Sequence, residues 1–371
     1  MVLAPMAGVT NPPFRSLCRD LARDAIRPEA AENDAEPGIY VGEMVSARAL
    51  CHGDRRTWQE FVAFPPDCGV RSLQLYATDA ADCGEAVRRL VDGGHVDHID
   101  LNFGCPMPKI TRQGGGAAVP ARPTVLAAII GAAVRGAGTI PVTVKFRLGL
   151  DREHLTHLAT GRIAAEEGAA AVALHARTAD QLYDGAADWD AIAELRAAVT
   201  TVPVLGNGDL WEADDVLRML EHTGVDGVVI GRGCLGRPWL FAEVAARLAG
   251  GTTPAPPTLG AVIGILRAHL DDLVAWRGDE VRAVREFRKH MSWYLKGYPL
   301  PGGDLRRDLA ACDDRAGIDA LLADLDPEAQ VDPNVLRLPR GKGPGRRVRL
   351  VLPEGHVDTA ERRSDLAPVG G

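Results

Sequence analysis

The stretch "HIDLNFGCPMPKITRQGGGAA", residues 98–118, decides the fold. An apolar run from His98 to Phe103 stops at Gly104-Cys105-Pro106, and a glycine-rich cationic loop follows, with Lys109, Arg112 and Gly114 to Gly116. A short apolar run closed by turn residues is the mark of a strand buried on both faces of a parallel sheet. Seven more such runs flank it: Val2–Pro5, Ile39–Glu43, Ser72–Tyr76, Val142–Arg147, Ala171–His175, Val202–Gly206 and Gly227–Gly231. Helical patterns fill the gaps at Ala80–Asp92, Pro123–Arg135, Leu155–Glu167, Trp189–Val199 and Glu212–Thr223. Eight alternating β/α units within residues 1–250 predict an α/β protein built on a (β/α)8 TIM barrel. The rival, a doubly wound sheet, more often uses about five or six strands.

A proline-rich linker, residues 251–257, ends the barrel. Helical periodicity at Leu259–Trp276 and Asp279–Lys296, and more weakly at Gly317–Leu325, predicts a small helical domain over 258–330. The tail, 331–371, is rich in Pro and Gly and is expected to be flexible. Between 331 and 350 it carries Arg337, Arg340, Lys342, Arg346, Arg347 and Arg349 against the single acid Asp332. Asp24–Pro37, with five acids, reads as a polar surface insertion.

Of the 371 residues 46% are hydrophobic and 25% charged, with a formal net charge of −8. That argues against indiscriminate nucleic-acid binding and leaves local basic patches open. No run of about 18 apolar residues suggests a membrane span. The opening MVLAPMAGVT lacks the pattern of a signal peptide. Seven scattered cysteines without a C-x-x-C pair speak against a disulfide framework and against a structural metal site, and for a reducing cytoplasm. A monomer without metal is expected.

In a barrel of this kind the chemistry lies at the C-terminal strand ends. Those positions read Pro5-Met6-Ala7, Glu43-Met44, Gln74, Asn102 then Cys105, Lys145 with Arg147, His175 with Arg177, Asn207-Gly208-Asp209, and Gly231-Arg232-Gly233. Glycine turns after the seventh and eighth strands suit a phosphate group, with backbone N–H groups and the donors His175 and Arg232. Lys145, inside an apolar strand, either snorkels out or faces a negative ligand, such as a reduced flavin. Gln74, with donor and acceptor groups, can read an amide-like ring edge or fill a polar barrel layer. Cys105 sits on a Cys-Pro corner with cations downstream. Near neutrality a thiol is mostly protonated and can deliver a proton, whereas nearby cations favour a nucleophile; the residues alone leave both open.

The motifs "APMAGVT", "DLNFGCP", "VKFR", "LHART", "NGD", "GRGCLGRPWLF" and "RKHMSWYLKG", in this order over roughly residues 3 to 300, resemble the tRNA-dihydrouridine synthases, most closely the bacterial B-type branch. The resemblance implies an FMN enzyme that reduces the C5–C6 double bond of particular tRNA uridines with NADPH (or NADH). It implies that Pro5, Met6 and Ala7 line the flavin, that Gln74 and Lys145 hold its ring, and that His175, Asn207, Gly208, Asp209, Gly231 and Arg232 hold its phosphate. Cys105 becomes the acid that protonates uracil C5 while hydride from flavin N5 reaches C6. Asn102 hydrogen-bonds the uracil, and Arg177 contacts substrate or phosphate.

Arg285, Arg288, Lys289 and Lys296 recur at helical spacing and are expected to meet tRNA phosphates, as is Lys109 beside the cysteine corner. The glycines at 114–116 are expected to act as hinges of a closing loop. Family members usually carry a further segment before "APMAG". Two other functions compete: a flavin barrel reducing a small molecule, which leaves the basic helix without a role, and a non-catalytic tRNA-binding protein, which leaves Cys105 and Lys145 without one.

Overall fold

The computed structural model describes residues 1–26, 36–53, 55–62, 64–65, 68–302, 304–341, 345 and 347–357. Nine strands form one sheet: β1 (Val2–Leu3), β2 (Ile39–Tyr40), β3 (Met44–Ser46), β4 (Ser72–Tyr76), β5 (His98–Phe103), β6 (Val142–Arg147), β7 (Ala171–His175), β8 (Val204–Asn207) and β9 (Gly227–Ile230). Every pairing is parallel, in the order β2-β1-β9-β8-β7-β6-β5-β4-β3. The two ends of that order, β2 and β3, are neighbours in sequence. Between them Gly42 N–H donates to Ser72 O at 2.9 Å, so β2 and β3 are halves of one bent strand and the sheet closes into the expected eight-unit barrel. The bend turns Glu43 toward the loop after β1, where its carboxylate accepts the Gly8 N–H at 2.6 Å.

Alternation along the strands sorts the side chains. Leu73, Leu75, Ile99, Leu101, Phe103, Val144 and Phe146 face the helices and belong to one buried apolar cluster, each contributing about 1.5–3 kcal/mol of transfer free energy. Ser72, Gln74, His98, Asp100, Asn102, Thr143 and Lys145 face inward. The register sets Ser72 beside His98, Gln74 beside Asp100, Asp100 beside Thr143, and Asn102 beside Lys145. What reads in sequence as a continuous apolar run is therefore an alternating strand with a polar inner face.

Helices Pro12–Ile26, Ala80–Asp92, Pro123–Ala137, His157–Glu166, Trp189–Ala198, Ala213–Thr223 and Leu240–Leu248 surround the sheet. Asp79 and Asp188 cap two of them by accepting first-turn N–H groups. The helix expected from Leu155 begins two residues later because Leu155 is taken up in a bridge with Gly149. Residues 251–258 carry no regular structure. Beyond them Leu259–Arg277, capped by Thr258, and Glu280–Tyr294, capped by Asp279, form a helical hairpin. Its apolar faces meet at Leu266, Leu270, Phe287 and Met291, a second core joined by Arg315–Leu322 through Ile318 and Leu322.

The segment after 330, expected to be flexible, lies back on the helical domain and the barrel, with Asp332 N–H donating to Gly297 O at 2.8 Å. Arg337 bridges Glu212 (2.5 Å) and Asp215 (2.9 Å). Buried Arg340 donates to the carbonyls of Trp293 (3.2 Å) and Lys296 (3.3 Å) at the end of the second hairpin helix. Helix C-termini offer unpaired carbonyls that attract cations, so these arginines are anchors. Lys342, Arg346, residues 358–371 and most of the insertion (27–35) lie outside the described residues. Among the described residues no helix is long and apolar enough to cross a membrane.

Candidate active site

A relay of hydrogen bonds runs up the inside of the barrel. His98 Nδ1 lies 2.7 Å from Ser72 Oγ, and its Nε2 lies 3.0 Å from Thr143 Oγ1. Thr143 O–H donates to Asp100 Oδ1 at 2.6 Å, and Gln74 Nε2 donates to Asp100 Oδ2 at 2.6 Å. Because the threonine proton is spent on Asp100, Thr143 Oγ1 accepts from His98 Nε2–H and His98 Nδ1 accepts from Ser72. That pattern needs a neutral imidazole, consistent with burial driving the His98 pKa down to about 4. Burial likewise holds the Asp100 carboxyl above its ordinary value, opposed by the Thr143 and Gln74 hydrogen bonds and by the Lys145 charge.

The relay ends at the cysteine corner. Asn102 Nδ2 donates to Gln74 Oε1 at 2.7 Å, while Asn102 Oδ1 accepts the N–H groups of Gly104 (3.0 Å) and Cys105 (2.8 Å). Arg147, nearly buried, donates Nε–H to Gly104 O at 2.9 Å and Nη1–H to Thr178 O and Leu182 O, both at 2.9 Å. Ala117 N–H donates to Cys105 O at 3.0 Å. Gly116 has φ +56°, and a Cβ there would lie 2.6 Å from Cys105 O, so only glycine fits this close approach. Cys105 thus rides on a corner fixed on three sides. Asn102, expected on the uracil, here has both ends of its amide on protein groups.

Opposite the corner lies the cationic wall. Lys145 Nζ donates to Asn207 Oδ1 at 3.0 Å, and Asn207 Nδ2 donates to Val229 O at 2.6 Å. Burial, then repulsion from Arg147, lowers the Lys145 pKa, with Asp100 opposing. Burial lowers His175 well below its ordinary value, assisted by Arg147 and Lys145, so this imidazole is neutral. The Arg232 guanidinium lies 4.2 Å from the centre of the Tyr183 ring and 5.2 Å from that of Trp211. Gly208 (φ +134°) cannot be replaced cheaply, since a Cβ would meet Ala187 Cβ at 2.6 Å. Asp209 turns its carboxylate away, accepting from Arg177 Nη2 (2.7 Å) and Ala187 N–H (2.8 Å). Arg177 is buried behind the turn and contacts no open surface. Its Nη1 has no hydrogen-bond partner among the described residues and lies close to Gly208.

These walls enclose a cavity of about 600 Å³ at the C-terminal end of the barrel. Pro5, Met6, Ala7, Gln74, Asn102, Cys105, Lys145, His175, Asn207, Gly208, Asp209, Gly231 and Arg232 all line it. Lys289 lines it too, reaching inward to the Gly8 carbonyl. The other expected cations do not gather here. Lys109 is exposed on the short helix Pro108–Thr111. Arg285 and Arg288 share the Asp313 carboxylate at 3.0 and 2.9 Å, and Lys296 donates to Pro339 O at 2.9 Å. Tyr183 and Trp211 also line the cavity and carried no recognisable signal, while Trp293, also on its lining, lay within the motif "RKHMSWYLKG". Asp100 did carry one: with His98 and Asn102 it marks every second residue of β5, the inner face.

The family model described as "Dihydrouridine synthase (Dus)" matches residues 2–330, stopping short of the segment that lies back on the barrel. A Mycobacterium leprae protein called "Probable tRNA-dihydrouridine synthase" is 52% identical over 351 residues, 90% of this chain and 91% of that protein. A Mycobacterium tuberculosis protein of the same name is 51% identical over 357 residues, 96% of this chain and 89% of that one. The "tRNA-dihydrouridine synthase B" of Xanthomonas campestris is 39% identical over 300 residues, 81% of this chain and 84% of that protein. With nearly the whole barrel and its helical hairpin inside the match, the chain belongs to the dihydrouridine synthase family.

Proposed function

We propose that the chain is a tRNA-dihydrouridine synthase: it binds FMN in the barrel mouth and reduces the C5–C6 double bond of specific tRNA uridines to 5,6-dihydrouridine, with NADPH as reductant. The observation that carries this is the clamped Cys105 corner facing a cavity of about 600 Å³ lined by Lys145, Arg147 and Arg232. The cavity suits a planar ring with an anionic tail. Pro5, Met6 and Ala7 offer an apolar bed, and Gln74 keeps one N–H beyond its bond to Asp100 for a ring edge. Lys145 offers positive charge. His175, Arg232 and the turns 207–209 and 231–233 surround the place for a phosphate, with Arg177 buried behind the first turn adding positive charge. Asp209, its carboxylate turned to Arg177, serves through its backbone.

When bound, the flavin supplies the hydride that uracil C6 receives. Cys105 Sγ–H gives its proton to C5, and the thiolate regains one from solvent. Asn102 and Arg147 hold the thiol in place through the backbone of Gly104 and Cys105, sparing that alignment from being found anew in each turnover. A uridine enters only flipped from its stack. On this reading residues 1–250 are catalytic, 251–257 link, and 258–330 with Lys109, Arg285, Arg288 and Lys296 face tRNA as a cytoplasmic monomer. Lys289 and Arg177 act from within the protein.

Mass spectrometry of tRNA from cells lacking the gene tests the proposal. Dihydrouridine at one or more positions disappears, the wild-type gene restores it, and Cys105→Ala restores at most about one hundredth of the rate, the worth of a positioned general acid. Unchanged dihydrouridine, in cells where no other synthase covers those sites, overturns it in favour of small-molecule reduction.

A further inference from the structure

The described residues 347–357 lie beyond the family-matched part of the chain and touch both supports of the cysteine corner. On one side Val348 N–H donates to Asp180 O at 3.0 Å, and Arg347 faces Asp180 and Asp184 at 3.8 and 3.9 Å. These belong to the loop whose Thr178 and Leu182 carbonyls hold Arg147, which in turn holds Gly104 O. On the other side His356, only 7% exposed, places Nε2 at 2.8 Å from Ala118 O. A carbonyl only accepts, so this nitrogen carries the proton. A turn closed by His356 N–H to Pro353 O (3.2 Å) seats both rings against Gly114: a Cβ there would lie 3.4 Å from His356 Cε1 and 3.7 Å from Pro353 Cγ. One residue before Ala118, Ala117 N–H grips Cys105 O.

A loop with glycine at 114, 115 and 116 has more conformations to lose than any other composition, and its local bonds, Gly114 N–H to Thr111 O (2.9 Å) and Gly115 N–H to Ile110 O (3.1 Å), gain from an outside anchor. We infer that residues 347–357 are a brace behind the active site, gripping the two loops that support the cysteine corner, and that His356 is a positioning residue holding the 114–118 loop, and through it Cys105, in the geometry of proton delivery. The glycines then serve a pinned turn, with positive φ at Gly114 and Gly116, in place of the expected hinge. The role assigned to His356 rests on the reading of Cys105 as the acid. The pinning itself does not.

Three variants decide it: His356→Ala, a chain ending at Leu350, and His356→Gln, which keeps an N–H at similar reach. The readouts are amide exchange at 114–118, iodoacetamide labelling of each cysteine by peptide mapping, and kcat and KM for tRNA. Losing the anchor accelerates exchange at 114–118 and Cys105 labelling by about fivefold to tenfold, the worth of one buried hydrogen bond. Labelling of Cys51, Cys68 and Cys312 stays unchanged, kcat falls by a similar factor with KM within about twofold, and His356→Gln recovers most of the loss. The inference is overturned if loop exchange and Cys105 labelling stay at wild-type rates. It is equally overturned if all cysteines accelerate alike, which would make the segment a general staple. Exchange and labelling need no turnover, so they decide the pinning even if the wild-type protein makes no dihydrouridine.

Discussion

In the barrel mouth, Lys145, Arg147, His175 and Arg232 converge on one cavity and burden one another. Burial and mutual repulsion lower the pKa of each, Arg147 to about 10. On the helix Glu280–Tyr294, Arg285 and Arg288 point outward and share the carboxylate of Asp313. In sequence both sets are simply basic residues, the first scattered over strand ends and the second at helical spacing. Only the first is costly to keep: Lys145, Arg147 and Arg232 are largely buried cations crowded on one cavity, offset only in part by the Asp209 carboxylate 3.7 Å from Arg232 and by Asp100 near Lys145, and an anion in the cavity relieves them further. Crowded buried cations mark the ligand site, and matched surface charge marks nothing by itself.

The strongest way to break this contrast is to remove the one acid inside the barrel. Asp100→Asn takes the opposing charge from Lys145 and gives Gln74 a partner that no longer only accepts. The Gln74 and Asn102 amides then lose their enforced orientation, and kcat for tRNA reduction falls by about 10-fold to 100-fold. The pH dependence has a definite sign. Asp100 raises the Lys145 pKa, so without it Lys145 loses its proton at lower pH, and the alkaline limb of the rate profile moves to lower pH by about one unit. A kcat–pH profile superimposable on wild type would show that Asp100 merely fills space.

How much of this was legible follows the same division. The barrel's strands could be placed because parallel strands buried by helices leave dense apolar runs, and β4, β6 and β7 fall where the pattern puts them. The strand-end chemistry followed from the fold. The bend at Val41–Glu43 was invisible, since the Gly8 N–H that Glu43 accepts comes from the loop after the neighbouring strand, 35 residues away in sequence. Lys289 read as one more member of a basic stripe, although its partner is the carbonyl of Gly8. The last segment read as flexible because Arg337 finds Glu212 and Asp215 more than a hundred residues upstream. Local pattern encodes elements, and contacts distant in sequence stay hidden in it.

Acid sharpens the comparison next. His269, driven to about 3 by burial with help from Lys289, and His290, likewise lowered, meet edge to face with ring centres 4.8 Å apart in the hairpin core. The unfolded chain takes up these protons near 6.5, so their contribution is complete above that pH. It declines as pH falls, by up to about 1.4 kcal/mol per unit for each histidine. His98 in the barrel behaves alike down to about 4, but its neighbour Asp100 has the opposite sign. A carboxyl raised by burial favours the fold below its folded pKa and loses that contribution as pH rises through it, so acidification returns stability to the barrel network. Amide exchange, corrected for its intrinsic pH dependence, therefore accelerates in 259–294 before β5 and β6 as pH falls from about 6.5 to 5. Equal acceleration in both regions would mean that the hairpin histidines do not govern its acid stability.

The smallest effect tests the surface set. Asp313→Asn releases Arg285 and Arg288 from their shared carboxylate without touching either core. The pairs are exposed and screened, so the melting temperature moves by no more than about 1 °C. If the helix faces tRNA, the freed guanidinium groups meet phosphates. Binding then tightens at low salt, and the slope of log affinity against log salt steepens by about 0.7–0.9 for each new contact. Titrations of wild type and variant at several salt concentrations read this directly. Unchanged affinity and slope would place the tRNA elsewhere and leave Arg285 and Arg288 as an ordinary solvated network, the outcome that paired surface charge suggests when it stands alone.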